Sequence, residues 1–239
     1  MNNIEFKTGV INPVEIYKEA WAMIKGQYWI VFAVTLVGLL IGSVVPIILI
    51  GPMMCGIYLV LFQTYEGRTV DFGLLFKGFD YFVPSLVLSL IIMVPALIFL
   101  FAIYIPMIGM MIAAPRMDEG EVMAFIVGTL AVEFIVALVM ICIHTLLLFA
   151  FPLIVDKKLS AIQSVKLSAK AVWGNLGGIV GLFVVGFGVC IVGYLMLCVG
   201  IYLVIPLIIA ATLVAYRKVF PPIAMPSFDP PPPNAYRGL

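Results

Sequence analysis

The sequence places one acidic residue, Glu133, inside an otherwise apolar run at positions 122–155. The same run contains His144, the only histidine of the chain. An ionisable group near the centre of a membrane helix costs at least about 2.5–3.5 kcal/mol, so such a residue is a functional candidate by default. On a helix the two side chains share one face, about 16 Å apart along the axis. They are candidates for a proton or ion path; the alternative is a neutral glutamic acid and a histidine that each hydrogen-bond a neighbouring helix.

Two amphipathic segments, residues 12–27 and 160–175, carry lysine and tryptophan side chains at helical spacing. Indole rings favour the headgroup level of a bilayer, and lysine stems lie along apolar surface while the ammonium group stays in water. Both segments, and a shorter one at residues 69–80, are therefore predicted to lie in the membrane plane. They are either structural elbows or a docking surface for a protein partner or for lipid. The candidate docking residues are Lys18, Trp21, Lys166, Lys170 and Trp173.

No other group of residues has the spacing of a catalytic or metal-binding site. The four cysteines lie in apolar runs, and the closest two, Cys190 and Cys198, are eight positions apart. Isolated thiols of this kind behave as small apolar side chains. We therefore expect no enzyme, no catalytic residue, no metal site and no cofactor.

The composition indicates an integral membrane protein. Of the 239 residues, 64% are hydrophobic and 10% are charged, whereas a soluble domain is about 45–50% apolar and about 25% charged. This excludes a soluble enzyme, a nucleic-acid-binding protein and a disordered chain. Four long runs contain at most one charged residue each: residues 28–65, 81–115, 122–155 and 171–216. The first and the last far exceed the ~20 residues of one span and must turn back, the first of them at Pro46 and Gly51-Pro52. The predicted fold class is all-α and polytopic, with six transmembrane helices at residues 28–46, 51–65, 83–106, 122–148, 177–195 and 199–216.

The charged residues are distributed unevenly between the two sides of these helices. All but one of the 13 lysines and arginines lie on the side of both chain ends, and the exception is Arg116. Because cytoplasmic loops carry the excess of lysine and arginine, we expect both termini in the cytoplasm. The first 27 residues are too polar for a cleaved leader, so we expect the first span to direct insertion.

The two longer amphipathic segments follow one plan at a constant offset of 148 positions. Asn12 corresponds to Ser160, and both are preferred helix N-cap residues; Gln27 corresponds to Asn175. We therefore predict a parallel internal repeat in a single membrane domain, followed by an extended tail that contains seven prolines. The domain is residues 1–218, its repeat halves are residues 12–65 and 160–216, and the tail is residues 219–239.

Three local patterns carry a resemblance to known proteins. They are Gly51-Pro52 with Tyr65-Glu-Gly-Arg68, the segment Leu74–Phe79, and the segment Phe151–Ser160 that leads to Trp173 and Asn175. The chain resembles a group of bacterial inner-membrane proteins that includes the YciC-like proteins and the membrane domain attached to some glycerophosphodiester phosphodiesterases. The resemblance covers about residues 12–218. It implies a six-helix fold in the bacterial cytoplasmic (inner) membrane, and it implies no reaction, because the soluble phosphodiesterase domain is not part of it.

These observations lead to two functional hypotheses. The first is a non-catalytic integral membrane protein that acts as an assembly or scaffold subunit of a larger membrane complex. It would bind a protein partner through the amphipathic segments and the C-terminal tail. The alternative is a small transporter or channel with Glu133 in the substrate or proton path.

Overall fold

The computed structural model describes residues 4–196 and 200–222 of the chain. Six helical segments are long and apolar enough to cross a membrane, and every regular element of the described ranges is helical. The prediction of an all-α polytopic fold is therefore confirmed. A 3-10 helix, Phe72–Tyr81, precedes the fourth α-helix. The α-helices are α1 (Pro13–Ile24), α2 (Tyr28–Val44), α3 (Pro46–Tyr65), α4 (Phe82–Ala113), α5 (Glu119–Leu146), α6 (Ala150–Lys157), α7 (Ala161–Gly174), α8 (Leu176–Leu195) and α9 (Gly200–Val219).

The six predicted spans correspond to α2, α3, α4, α5, α8 and α9, with differences at their ends. The largest difference is in α4, which continues past Pro106 to Ala113 and is 32 residues long. At 1.5 Å per residue it extends about 48 Å, well beyond the ~30 Å of a hydrocarbon core. The sequence did not predict α6, a separate short helix after α5.

Of the two predicted break points, Pro46 is correct to within one residue and Gly51-Pro52 is wrong. The chain turns at Val45, and Pro46 is the first residue of α3, where the N–H that proline lacks would have no helical partner in any case. Gly51 and Pro52 lie inside α3 and are buried. A Cβ atom at Gly51 would be 2.5 Å from the backbone oxygen of Ser85, so this glycine allows α4 to approach α3 closely.

All of these helices except α6 form three units that share one plan. Each unit begins with an amphipathic interfacial element (α1, the 3-10 helix or α7) and continues into a hairpin of two apolar helices (α2–α3, α4–α5 or α8–α9). Each interfacial element begins at a side-chain N-cap, because oxygens of Asn12, Asp71 and Ser160 accept backbone N–H bonds. The predicted repeat included only the first and third units, and it stays a prediction.

The junction between interfacial element and hairpin has similar backbone geometry in each unit. The helix is broken at Gln27 (φ −130°, ψ 26°), Tyr81 (φ −104°, ψ 23°) and Asn175 (φ −125°, ψ 21°). Each of these side chains donates a hydrogen bond to a backbone oxygen a few residues before the interfacial element of the next unit. The acceptors are Arg68 at 3.0 Å, Val155 at 3.4 Å and Lys7 at 3.0 Å. The units are thus joined in a ring at one end of the molecule, which we call the base.

Packing at the base follows the same cyclic order. The 3-10 helix packs on α3, α7 packs on α4 and α5, and α1 packs on α8 and α9. Each interfacial element therefore covers the hairpin of the preceding unit. Two glycines of α8 allow α1 to approach: a Cβ atom at Gly178 would be 2.5 Å from Cβ of Ile11, and one at Gly181 would be 2.6 Å from Cγ of Pro13.

The hairpins are packed together at two of their three boundaries. α3 packs along α4, and α9 packs against α2. Within the described residues the third boundary, between α5 and α8, has no comparable packing. α5 has no buried residue, and the buried residues of α8 are Ile179, Leu182, Gly186 and Gly193. We call this third boundary the α5–α8 seam.

The predicted tail, residues 219–239, overlaps the end of the last helix. Val219 is the last residue of α9 and is buried. Phe220 is also buried, with its ring centroid 5.1 Å from that of Tyr216. Residues 219 and 220 therefore belong to the membrane domain, because their side chains complete its core. Residues 223–239, most of the predicted tail, lie outside the described residues.

Lys158 ends α6 in the left-handed conformation, with φ 51° and ψ 37°. A residue with a Cβ atom adopts this conformation at a cost of about 1–2 kcal/mol, which glycine avoids. We expect Lys158→Gly to raise the free energy of unfolding by about 0.5–1 kcal/mol, measured by thermal unfolding in detergent micelles. The matched control is Lys157→Gly, in the last turn of α6, which should lower that free energy. A destabilising Lys158→Gly would contradict the strain argument.

Candidate functional site

Glu133 lies at the midpoint of α5 (Glu119–Leu146), about 20 Å of helix from either end. Its side chain is half-buried. It follows Thr129 by one helical turn, and Thr129 lines a shallow pocket between α4 and α5 with Pro106 and Gly128. Among the residues that the structure describes, Glu133 has no salt-bridge or hydrogen-bond partner. The candidate acid is therefore in the middle of a membrane-length helix, and no residue that the structure describes satisfies its carboxyl group.

His144 lies in the last turn of α5 and is exposed. Its Nδ1 atom is 2.9 Å from the backbone oxygen of Met140, so one ring nitrogen is engaged within its own helix. The eleven residues that separate it from Glu133 correspond to about 16 Å of helix. The structure thus places both candidate residues on α5 but does not bring their side chains together.

On α7, the candidate docking residues Lys166, Lys170 and Trp173 are all exposed. Ile162 lies on the same side and is 58% exposed, and Trp173 is 73% exposed. The buried side is instead formed mostly by small residues: Ala161, Ser164, Ser168, Ala171 and Val172. The large apolar side chains Ile162 and Trp173 therefore point away from the core, with the two lysines beside them. We call the set Ile162, Lys166, Lys170 and Trp173 the α7 strip.

The outward side of α1 also combines lysine and large apolar side chains, together with the exposed acids Glu15 and Glu19. Its candidate docking residues Lys18 and Trp21 are exposed, as are Val14 and Lys25. The Trp21 ring lies 5.6 Å from that of Tyr28, at the junction with α2. The core-facing residues are Ile16, Tyr17, Ala20 and Ile24. We call the set Val14, Lys18, Trp21 and Lys25 the α1 strip.

A buried charged cluster at the base was not predicted from the sequence. The Nη1 atom of Arg217 donates to Oδ1 of Asp156 at 3.0 Å, and the Tyr216 hydroxyl donates to Oδ2 at 2.7 Å. The Arg217 and Asp156 side chains are only 8% and 15% exposed. The guanidinium group also lies 4.4 Å from the centre of the Phe62 ring, a cation–π contact. The cluster ties the end of α9 to α6 and α3.

The charged cluster holds helices together through further ion pairs. Asp156 also forms a salt bridge with Lys157, whose Nζ atom is 3.1 Å from Oδ2 of Asp156. The next residue after Arg217, Lys218, donates to Glu19 at 2.7 Å and so ties α9 to α1. In the sequence, Asp156 and Arg217 each follow directly after a long apolar run. That pattern indicates charges that orient the helices and does not by itself indicate that the two residues pair.

Comparison of the chain with family models, with curated proteins and with solved structures gave no match. The resemblance to the YciC-like proteins therefore stays a prediction. Within the described ranges, no three His, Cys, Asp or Glu side chains are close enough together to hold a metal ion. The candidate functional features are therefore Glu133, the α5–α8 seam and the exposed strips of α1 and α7.

Proposed function

We propose that the chain is a non-catalytic assembly subunit of a larger membrane complex and that it holds a partner's transmembrane helix at the α5–α8 seam. The observation that carries the proposal is the position of Glu133, at the midpoint of a helix that buries none of its residues. The membrane is proposed to be the bacterial inner membrane, with the base on the cytoplasmic side. The excess of lysine and arginine at the base supports that orientation.

The energetic argument begins with the carboxyl group of Glu133. In contact with lipid alone, an acidic side chain at this depth costs about 2.5–3.5 kcal/mol. A hydrogen-bond donor on an adjacent helix removes much of that cost, and such interhelical bonds contribute up to about 1–2 kcal/mol to association. Since no described residue supplies this donor, we propose that a second polypeptide does. Its helix would carry an amide, hydroxyl or cationic side chain near its middle.

The α5–α8 seam gives this helix a place. The corresponding boundaries α3–α4 and α9–α2 are covered by direct helix packing. On α5 and α8, by contrast, large apolar side chains such as Phe134 and Phe187 are exposed. A partner helix inserted there would pack against both hairpins and would complete the ring at the level of Glu133.

The alternative, a small transporter or channel with Glu133 in its path, has weaker support. A proton path needs a series of polar groups, and the pocket between α4 and α5, one turn from Glu133, is lined by a single polar side chain, Thr129. The other candidate group, His144, lies about 16 Å along the helix. In liposomes, proton flux that is present in the wild type and lost in Glu133→Gln would favour this alternative.

We expect Glu133→Leu to release the partner during native purification in mild detergent. The loss of one interhelical hydrogen bond of about 1–2 kcal/mol corresponds to a 5- to 30-fold weaker complex. The matched control is Glu119→Leu, which removes an exposed acid from the first turn of the same helix and should leave the complex intact. The measurement is the stoichiometry of the copurified partner by native mass spectrometry. A wild type that purifies only as a monomer or homodimer would contradict the proposal.

A further inference from the structure

The α7 strip combines apolar and cationic side chains in one narrow sector of the helix. At 100° per residue, Ile162, Lys166 and Trp173 lie within about 40° of one another, and Lys170 lies about 40° further round. This sector is opposite the buried side that packs on the neighbouring helices. The strip is therefore presented to the surroundings of the base and not to the core.

The charge of α7 is uncompensated. The helix contains Lys166 and Lys170 and no acidic residue in its 14 positions. Within the described residues neither lysine takes part in a salt bridge. A ligand that complements this strip must supply negative charge next to apolar material.

We infer that the α7 strip binds the anionic headgroups of the phospholipid leaflet around the base. A phospholipid offers a phosphate to the two ammonium groups and glycerol and acyl groups to Ile162. Indole rings also favour this level of the bilayer, where Trp173 is 73% exposed. The α1 strip, with Lys18, Lys25 and Trp21, presents the same types of side chain on the next unit of the ring, but α1 also exposes Glu15 and Glu19.

A lipid surface fits these residues better than a protein does. The core of a protein–protein interface is depleted in lysine, because each ammonium group must be desolvated. A bilayer interface has no such cost, since the lysine stem lies along apolar surface while its charged end reaches the headgroups. Each lysine near an anionic leaflet contributes about a fivefold preference, equivalent to about 1 kcal/mol.

The test uses Trp173 as a reporter in the full chain. With Trp21→Phe and Trp29→Phe, Trp173 is the remaining tryptophan of the three. The protein is reconstituted in vesicles of phosphatidylglycerol and phosphatidylcholine, one of the two brominated near the glycerol, and quenching of Trp173 gives the relative affinity of the strip for the two lipids. We expect a preference for phosphatidylglycerol that falls about fivefold in Lys166→Gln and about fivefold further in Lys166→Gln/Lys170→Gln.

Two comparisons complete the test. Lys77→Gln, an exposed lysine on the 3-10 helix, is the matched control and should leave the preference of the strip unchanged. Raising the salt concentration to about 1 M should reduce the preference in the parent protein, because the Debye length falls to about 3 Å. Equal quenching by the two lipids, or a preference that survives the double substitution, would overturn the inference. So would the absence of quenching by either lipid, which would mean that protein covers the strip.

Discussion

We expect Asp156→Ala to lower the free energy of unfolding by about 3–5 kcal/mol, because it leaves the Arg217 charge buried without its partner. The two side chains are 15% and 8% exposed, so water replaces little of the lost interaction. The Tyr216 hydroxyl loses its acceptor at the same time. The measurement is reversible unfolding by sodium dodecyl sulfate in mixed micelles.

Two further variants separate the buried pair from a general effect of removing charge. Glu66→Ala removes the partner of Arg68 in an exposed pair, and it should cost only about 0–1 kcal/mol. Asp156→Ala combined with Arg217→Met removes both charges from the buried site. It should be more stable than Asp156→Ala alone, because no unpaired charge is left. A double variant less stable than the single one would contradict this account of the cluster.

We expect Gly56→Ala and Gly78→Ala to destabilise the contact between α3 and the 3-10 helix by about 3 kcal/mol or more each. A Cβ atom at Gly56 would overlap the backbone oxygen of Leu75, and one at Gly78 would overlap the backbone oxygen of Pro52. Overpacking that a side-chain rotation relieves costs about 1–3 kcal/mol. Here the obstacles are backbone atoms, so one of the two helices must move.

The matched controls are Gly177→Ala and Gly188→Ala in α8. An added Cβ atom at either position meets nothing within 4 Å. Because alanine is favoured over glycine inside a helix by about 0.5–1 kcal/mol, both controls should be neutral or stabilising. Thermal unfolding of the four variants in one detergent compares them directly. Similar losses at all four glycines would contradict the close-packing argument.

The sequence was sufficient to predict the fold class and the number of apolar spans, because long uncharged runs have few solutions in a bilayer. It failed where local rules competed with packing. The sequence predicts helix ends at Gly51-Pro52 and at residue 106, but Pro52 and Pro106 both lie inside long helices. The tolerance of membrane helices for proline explains this, since neighbouring helices can satisfy the freed backbone groups.

The candidate site was only partly accessible from the sequence. Glu133 was found because an acid is conspicuous in an apolar run, and Lys166 and Trp173 because of their helical spacing. The ring of side chains from Gln27, Tyr81 and Asn175 to neighbouring backbone segments could not be predicted, since each bond joins residues at least 41 positions apart. The α5–α8 seam was inaccessible for the same reason, because it is a property of how the three hairpins pack.

We propose above that a partner helix occupies the α5–α8 seam. The most direct test places a photoreactive amino acid at Phe134 on α5 or at Phe187 on α8, both exposed, in native membranes. The control position is Leu40 on α2, exposed to a similar degree outside the seam. We expect both seam positions to crosslink to the same second membrane protein, less so with Glu133→Leu, and the control not to. Crosslinks to lipid alone, or to that protein from Leu40 only, would contradict the claim.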